Sequence, residues 1–150
     1  MRKYFISKAS NNELQKNSQA LEFLIFSFIN PSVLGVKNVL HENGDFFGKN
    51  KTLFLARIHK IFTNLAEESY SLQINRGISL GVFPGAEVIE IRYSIGSEFQ
   101  KPEKTKLLGE TKSKNEIILR FSATFKDDKI YLLRNPKHFM IVNKEITDQN

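Results

Sequence analysis

The element order is easiest to read in residues 36 to 65, VKNVLHENGDFFGKNKTLFLARIHKIFTNL. Val36, Val39 and Leu40 predict a short apolar strand that runs into a Gly-bounded turn over residues 41 to 49. An amphipathic helix follows, and the chain beyond it contains only strand-like segments. Helices that precede a run of strands are typical of an α+β fold, in which the helices cover one face of a sheet.

Two helices are predicted from the spacing of apolar residues. The first covers residues 11 to 30 and ends before Pro31. Its second half, ALEFLIFSFI, is apolar nearly all round, which predicts burial on most sides. The second covers about residues 50 to 67 and carries one apolar stripe, formed by Phe54, Ile58, Ile61, Phe62 and Leu65.

The rest of the chain predicts one strongly curved antiparallel sheet wrapped around the first helix. Its strands are residues 70–80, 87–95, 115–126 and 129–134, with a short terminal segment at 139–142. Asp127 and Asp128 predict a tight hairpin turn between the last two of the four. The residues expected to be buried are Phe23, Phe26, Ile91, Leu119 and Phe121.

Length and composition favour one soluble domain over residues 1–150, with a core at about 11–142. The chain has 13 Phe and no Trp, which predicts an aromatic core, an aromatic pocket, or both. It has no Cys, which excludes disulfides, thiolate zinc sites and cysteine nucleophiles. No apolar run is long enough for a membrane span or a signal peptide, so we expect a cytoplasmic protein without a membrane partner.

The net charge of +6 raises the question of nucleic-acid binding. The Lys-rich segment, residues 98–115, holds five lysines interleaved with Glu98, Glu103 and Glu110. Elsewhere the basic residues are dispersed, without the alternation with aromatic residues that is typical of base stacking. We therefore expect a solvated loop and no nucleic-acid partner.

Two segments carry a resemblance to a known family. GDFFGK, residues 44 to 49, precedes a helix, and FSATFKDDKIYLLRNP, residues 121 to 136, forms a closing hairpin. With the element order, these resemble the nuclear transport factor 2-like superfamily, which includes ketosteroid isomerase and the SnoaL-like polyketide cyclases. The resemblance implies a cystatin-like cone with a pocket between sheet and helices, usually dimeric through the open sheet face.

The resemblance also implies a place for a general base, at the end of the first strand. His41 or Glu42 lies nearest that place, and His41 is preferred because it would share a strand face with Val39. A structural role, a hydrogen bond in the pocket and a role as base all stay open for His41. Tyr93 is the candidate hydrogen-bond donor to a substrate. The other acid of the isomerase site has no counterpart on the inward strand faces.

Two functions follow as hypotheses. The first is a non-catalytic binding or interaction domain whose apolar pocket accepts a small apolar molecule; its lining is predicted to include Phe23, Phe26, Phe47, Phe54 and Ile91. The alternative is an isomerase or cyclase that uses His41 and Tyr93. No cofactor is expected, and the three His have no metal-binding spacing.

The sheet face away from the helices is predicted to form a homodimer interface. Arg92 and Arg120 are expected to pair with carboxylates such as Glu90 on this face. The other residues assigned to it are Ser94, Ile118, Ser122, Thr124, Tyr131 and Leu133.

Overall fold

The computed structural model describes residues 11–80, 86–95, 110–112 and 116–147. The helices in these ranges are α1 (Asn11–Ile29), α2 (Val33–Val39) and α3 (Lys51–Ala66). The strands are β1 (Leu40–Phe46), β2 (Tyr70–Ser79), β3 (Glu87–Ile95), β4 (Glu110–Lys112), β5 (Glu116–Lys126), β6 (Lys129–Arg134) and β7 (Phe139–Thr147). The predicted α+β class is confirmed.

The described strands form one open sheet in the order β1-β6-β5-β3-β2-β7, with β4 paired to β5 outside this path. The predicted pairing of β3 with β5 is confirmed as antiparallel, with Ile91 opposite Leu119. The strands predicted to form the sheet pair antiparallel, but β1 pairs with β6 in parallel, so the sheet is mixed rather than antiparallel throughout. Two parallel strands must be joined by a long connection. Here α3 and strands β2 to β5 lie between β1 and β6 in the chain.

The residues before β1 are helical, which corrects the predicted strand. Val36 and Val39 belong to α2, which begins after Ser32. The Ser32 side chain caps the helix by accepting a 3.0 Å hydrogen bond from the amide of Gly35. The apolar spacing of three between Val33, Val36 and Val39 fits one helical face, and a segment this short does not by its apolar pattern distinguish a helix from a strand.

The Gly-bounded turn is shorter than predicted, because β1 extends to Phe46. Only residues 47 to 49 turn the chain. Gly48 has φ +82°, a conformation that glycine adopts without strain. The carboxylate of Asp45 accepts a 2.7 Å hydrogen bond from the amide of Gly48, which gives Asp45 a local structural role.

One hydrophobic core joins the three helices to one face of the sheet. The whole predicted stripe of α3 is buried, which confirms the amphipathic reading. Alternate residues of β3 and β5 face the same core: Ile89, Ile91, Tyr93, Ile117, Leu119 and Phe121. The alternation predicted from sequence for these two strands is therefore confirmed.

Helix α1 is buried on one side only, and the predicted burial of Phe23 and Phe26 is wrong. Each of these side chains is 59% exposed, whereas Leu21, Leu24 and Phe28 are buried. The apolar pattern on all sides of α1 indicates how hydrophobic the helix is. It does not indicate which face of the helix remains exposed to solvent after packing against the sheet.

Some predictions concern residues outside the described ranges. Of the Lys-rich segment, only β4 is described, so the expected loop lies mostly outside those ranges. In the described part of the chain, no helix has the length and apolar character needed to cross a membrane.

Candidate functional site

An open groove of about 500 Å³ lies between α1 and β2, and we call it the α1–β2 groove. Residues at spacings of three and four on α1 form one wall, as expected for neighbours on one helical face. The lining consists of Glu22, Phe23, Ile25, Phe26, Ile29, Ile74 and Arg76.

Most of the groove is apolar. Ile74 lies on the core-facing side of β2, opposite Ile91 of β3, and is buried. Phe23 and Phe26 project from α1 with more than half of their surface exposed to solvent. Large exposed aromatic side chains beside a concave apolar surface are typical of a binding site.

One ion pair forms the polar end of the groove. The guanidinium of Arg76 donates to both carboxylate oxygens of Glu22, over 3.0 and 3.1 Å. A carboxylate oxygen of Glu87 lies 3.5 Å from the same guanidinium. The Arg76 side chain is 9% exposed and that of Glu22 is 40% exposed. The pairing is required because a buried guanidinium without a partner would be strongly destabilising.

The sequence analysis did not predict this ion pair, although each of its two residues is a charged residue at a position where an apolar one is expected. Glu22 is the one charged residue in the apolar run 20–29. Arg76 follows Leu72 and Ile74 at the period of a strand, so it lies on the core-facing side of β2. A charged residue at an apolar position predicts a buried partner, but the sequence does not name that partner.

His41 lies at the hairpin turn between β5 and β6. Its Nε2 is 3.2 Å from a carboxylate oxygen of Asp127, and its Nδ1 accepts a 3.0 Å hydrogen bond from the amide of Asn43. The ring also packs edge-on against Tyr131, with centroids 5.2 Å apart. Val39 lies in helix α2, so the prediction that Val39 and His41 share a strand face is wrong. These contacts fit a structural role.

Tyr93 is fully buried in the core. Its hydroxyl donates a 2.6 Å hydrogen bond to the carbonyl oxygen of Phe28. Burial, followed by the nearby Tyr70, raises the pKa of Tyr93 well above 10. The phenol therefore stays neutral, and its one proton is donated to the protein backbone.

The residues predicted to line a pocket lie in two different environments. Phe23 and Phe26 line the α1–β2 groove. Phe54 and Ile91 are buried core residues. Phe47 packs against the ring of Phe54, with centroids 6.0 Å apart.

A second, more polar hollow of about 380 Å³ lies at the start of α3. There the ammonium of Lys51 donates to the carbonyl of Leu40 over 3.0 Å and to the carboxylate of Glu42 over 2.7 Å. The hydrogen bond and the charge of Lys51 lower the pKa of Glu42. These contacts hold β1 to α3, so the buried cation has a structural explanation.

The sheet face away from the core carries a charged network centred on Glu90, which is 3% exposed. Its carboxylate accepts hydrogen bonds from Arg120 (2.5 Å), Asn75 (2.7 Å) and Arg92 (3.3 Å). Burial alone would raise the pKa of Glu90, but these hydrogen bonds and both guanidinium charges outweigh it and lower the pKa. The predicted pairing of Arg92 and Arg120 with Glu90 is confirmed.

Leu133 does not belong to that outer face, which corrects the prediction. It is buried in the core beneath the helices, as is Ile130. The register between β5 and β6 shifts between Thr124 and Phe125, and this irregularity changes the residue pairing across the hairpin. Simple alternation along β6 therefore assigned Leu133 to the wrong face.

Within the described ranges, no group of three or more His, Asp or Glu side chains is placed to hold a metal ion. No protein-family model matches this chain, and no curated protein or solved structure gives a match.

Proposed function

We propose that this chain is a non-catalytic binding domain that accepts a small apolar molecule in the α1–β2 groove. The observation that carries the proposal is the exposure of Phe23 and Phe26 beside the apolar floor at Ile74. Water contact with two large aromatic side chains is unfavourable, and a ligand that covers them gains their buried area. The groove volume of about 500 Å³ falls in the range of small-molecule sites.

The chemistry of the lining supports binding over catalysis. The described lining has no His, Tyr or Ser, and its charged side chains are already paired with each other. A general base must reach the proton that it removes. His41 contacts Asp127 and Tyr93 contacts Phe28, and neither lines this groove. Among the residues that the structure describes, no contact favours the alternative isomerase or cyclase activity.

The nuclear transport factor 2-like superfamily remains our proposal for the family. Its support is the order of helices before strands, the short turn with Gly48, and the placement of all three helices against one sheet face. A fold alone does not name a function, so the ligand must be argued from the groove.

The test is the binding of a neutral fluorescent apolar probe, N-phenylnaphthylamine. We expect its fluorescence to rise on binding to the purified chain. The double variant Phe23→Ala/Phe26→Ala should weaken binding about tenfold, because two ring contacts are lost. The matched control is Leu34→Ala, which removes an exposed apolar side chain of α2 outside the groove. Equal binding by the double variant and the control would refute the site. Native mass spectrometry of the purified protein then looks for a retained small molecule.

We also propose the homodimer through the outer sheet face, now without Leu133. Its support is the partial exposure of Arg92 and Arg120 on this face, since Arg is enriched at protein–protein interfaces. Light scattering should give twice the chain mass of 17.3 kDa. Thr124→Arg, an exposed position on β5, should shift the protein to the monomer mass. A wild-type monomer at micromolar concentration would overturn the dimer.

A further inference from the structure

We propose that Asn43 is a modification site, at which the chain deamidates spontaneously through a succinimide formed with the amide nitrogen of Gly44. The inference is independent of the proposed function, since it concerns β1 and not the α1–β2 groove. Its basis is the Asn43–Gly44 pair, the irregular pairing of β1 with β6, and the close packing that admits only glycine at position 44.

Asn43–Gly44 is the one Asn–Gly pair in the sequence. In succinimide formation, the main-chain nitrogen that follows an asparagine attacks Cγ of that asparagine. A side chain on the following residue obstructs this approach, and glycine has none. Asn38 and Asn64 are followed by a valine and a leucine, which obstruct it. Asn43 is therefore the asparagine whose neighbour opposes the reaction least.

The pairing of β1 with β6 is irregular around Asn43. Leu40 lies opposite Ile130, and the next register pair is Asp45 with Leu132, so that four residues of β1 face one residue of β6. Residues inserted in this way lie outside the regular ladder. Asn43 is also exposed to solvent, on the end strand of the described sheet. Ring closure requires rotation of the main chain, which costs less here than in a regularly paired central strand.

The fold requires glycine at position 44. A Cβ there would lie 2.6 Å from the carbonyl oxygen of Tyr131 and closer still to the ring of Phe46. The main chain of β6 and the buried Phe46 ring are both held by close packing, so neither can move away easily. The packing of β1 against Tyr131 therefore keeps the least obstructive residue beside Asn43.

The reaction needs no reagent other than water. The Gly44 nitrogen forms a bond to Cγ of Asn43 and loses its proton, while the bond between Cγ and Nδ2 breaks and ammonia leaves. Water then opens the succinimide ring. Opening at Cγ gives aspartate, and opening at the main-chain carbonyl of residue 43 gives isoaspartate, in which the main chain runs through the former side chain. Each product has a carboxylate in place of the neutral amide.

The isoaspartate product is expected to loosen β1. The amide of Asn43 donates a 3.0 Å hydrogen bond to Nδ1 of His41, and Nε2 of His41 lies 3.2 Å from Asp127 at the β5–β6 turn. Isoaspartate adds a carbon atom to the main chain between this amide and the closely packed Gly44. Both anchors cannot then keep their positions, whereas the aspartate product leaves the length of the main chain unchanged.

The experiment incubates the purified full chain in mildly alkaline buffer, native or unfolded in urea, and assigns mass changes to residues from the fragment ions of its peptides. We expect a gain of about one dalton at Asn43, divided between two chromatographic isomers. The native rate should lie within about tenfold of the rate in urea, because a site outside the ladder needs little opening. Asn38 and Asn64 of the native chain should stay unmodified over the same time.

Two variants serve as matched controls. Asn43→Gln keeps the amide but places its carbonyl one carbon farther from the Gly44 nitrogen, and it should stop the mass gain at this position. Asn43→Asp reproduces the aspartate product. The isoaspartate fraction, separated by chromatography, should unfold at a lower urea concentration than Asn43→Asp, because only isoaspartate lengthens the main chain.

A mass gain at Asn43 of the native chain, at a rate within about tenfold of that in urea and absent from Asn43→Gln, supports the proposal. No gain in the native chain, or a stronger protection than this, overturns it, because the strand would then hold Asn43 in an unreactive conformation. Equal gains at Asn38 and Asn64 also overturn it, because the neighbouring glycine would then not decide the site. The comparison on the wild-type chain stands even if Asn43→Gln does not fold.

Discussion

The hydroxyl of Tyr93 donates a 2.6 Å hydrogen bond to the carbonyl oxygen of Phe28, a residue 65 positions earlier in the chain. The last carbonyls of a helix have no partner within the helix. In α1, the carbonyls of Phe26 and Ser27 accept from Asn30 and Ser32, and that of Phe28 accepts from Tyr93. The sheet thus completes the hydrogen bonding at the end of α1.

Tyr93→Phe should lower the free energy of unfolding by about 1–3 kcal/mol, because it leaves a buried carbonyl without its donor. Urea denaturation measures the change. Tyr131→Phe, which removes a hydroxyl from a half-buried side chain, is the control and should have a smaller effect. A Tyr93→Phe protein as stable as wild type would show that this bond contributes nothing net.

Tyr93 also predicts a loss of stability at high pH. Its pKa is raised well above 10 in the folded chain, whereas the unfolded phenol titrates near 10. The neutral phenol therefore stabilises the fold fully below about pH 10, and this contribution is lost as the pH rises further. Urea midpoints between about pH 9 and 11 should fall more steeply for wild type than for Tyr93→Phe. If the urea midpoints of wild type and Tyr93→Phe fall equally with pH, groups other than Tyr93 cause the loss of stability at high pH.

Glu90→Gln should destabilise the chain by up to about 3 kcal/mol at neutral pH, because it leaves two guanidinium groups without their shared carboxylate. The folded-state pKa of Glu90 is lowered below 4.5, so its contribution is present above that pH and is lost as the pH falls through the lowered value. The stability gap between wild type and variant should therefore narrow in acid. Glu67→Gln, at an exposed position, is the control. A gap that stays constant with pH contradicts the prediction.

Lys51→Met should cost about 1–2 kcal/mol, because the carbonyl of Leu40 loses its buried donor. Thermal unfolding followed by circular dichroism reports the change. Lys60→Met makes the same substitution at an exposed position of α3 and should leave the melting temperature nearly unchanged. Similar losses in both variants would indicate a general effect of lysine removal.

Local patterns predicted the elements that depend on local spacing. The bounds of β3 and β6 match the expected ranges, and all five residues of the α3 stripe are buried. Periods of two and of about 3.6 residues place side chains on one face without reference to the rest of the chain. The same reasoning failed for the segment at Val36 and Val39, since three valines in a short segment fit either a strand or two turns of helix.

The apolar positions, the ends of helices and the alternation of strand faces follow from the sequence alone, because they depend on backbone geometry within a few residues. The parallel entry of β1 beside β6, the open side of α1, and the meeting of Glu22 with Arg76 across 54 positions depend on how distant elements pack. The candidate ligand groove belongs to this second group. The groove is formed by α1 and β2. No local sequence pattern relates these two segments, and burial of the core brings them together.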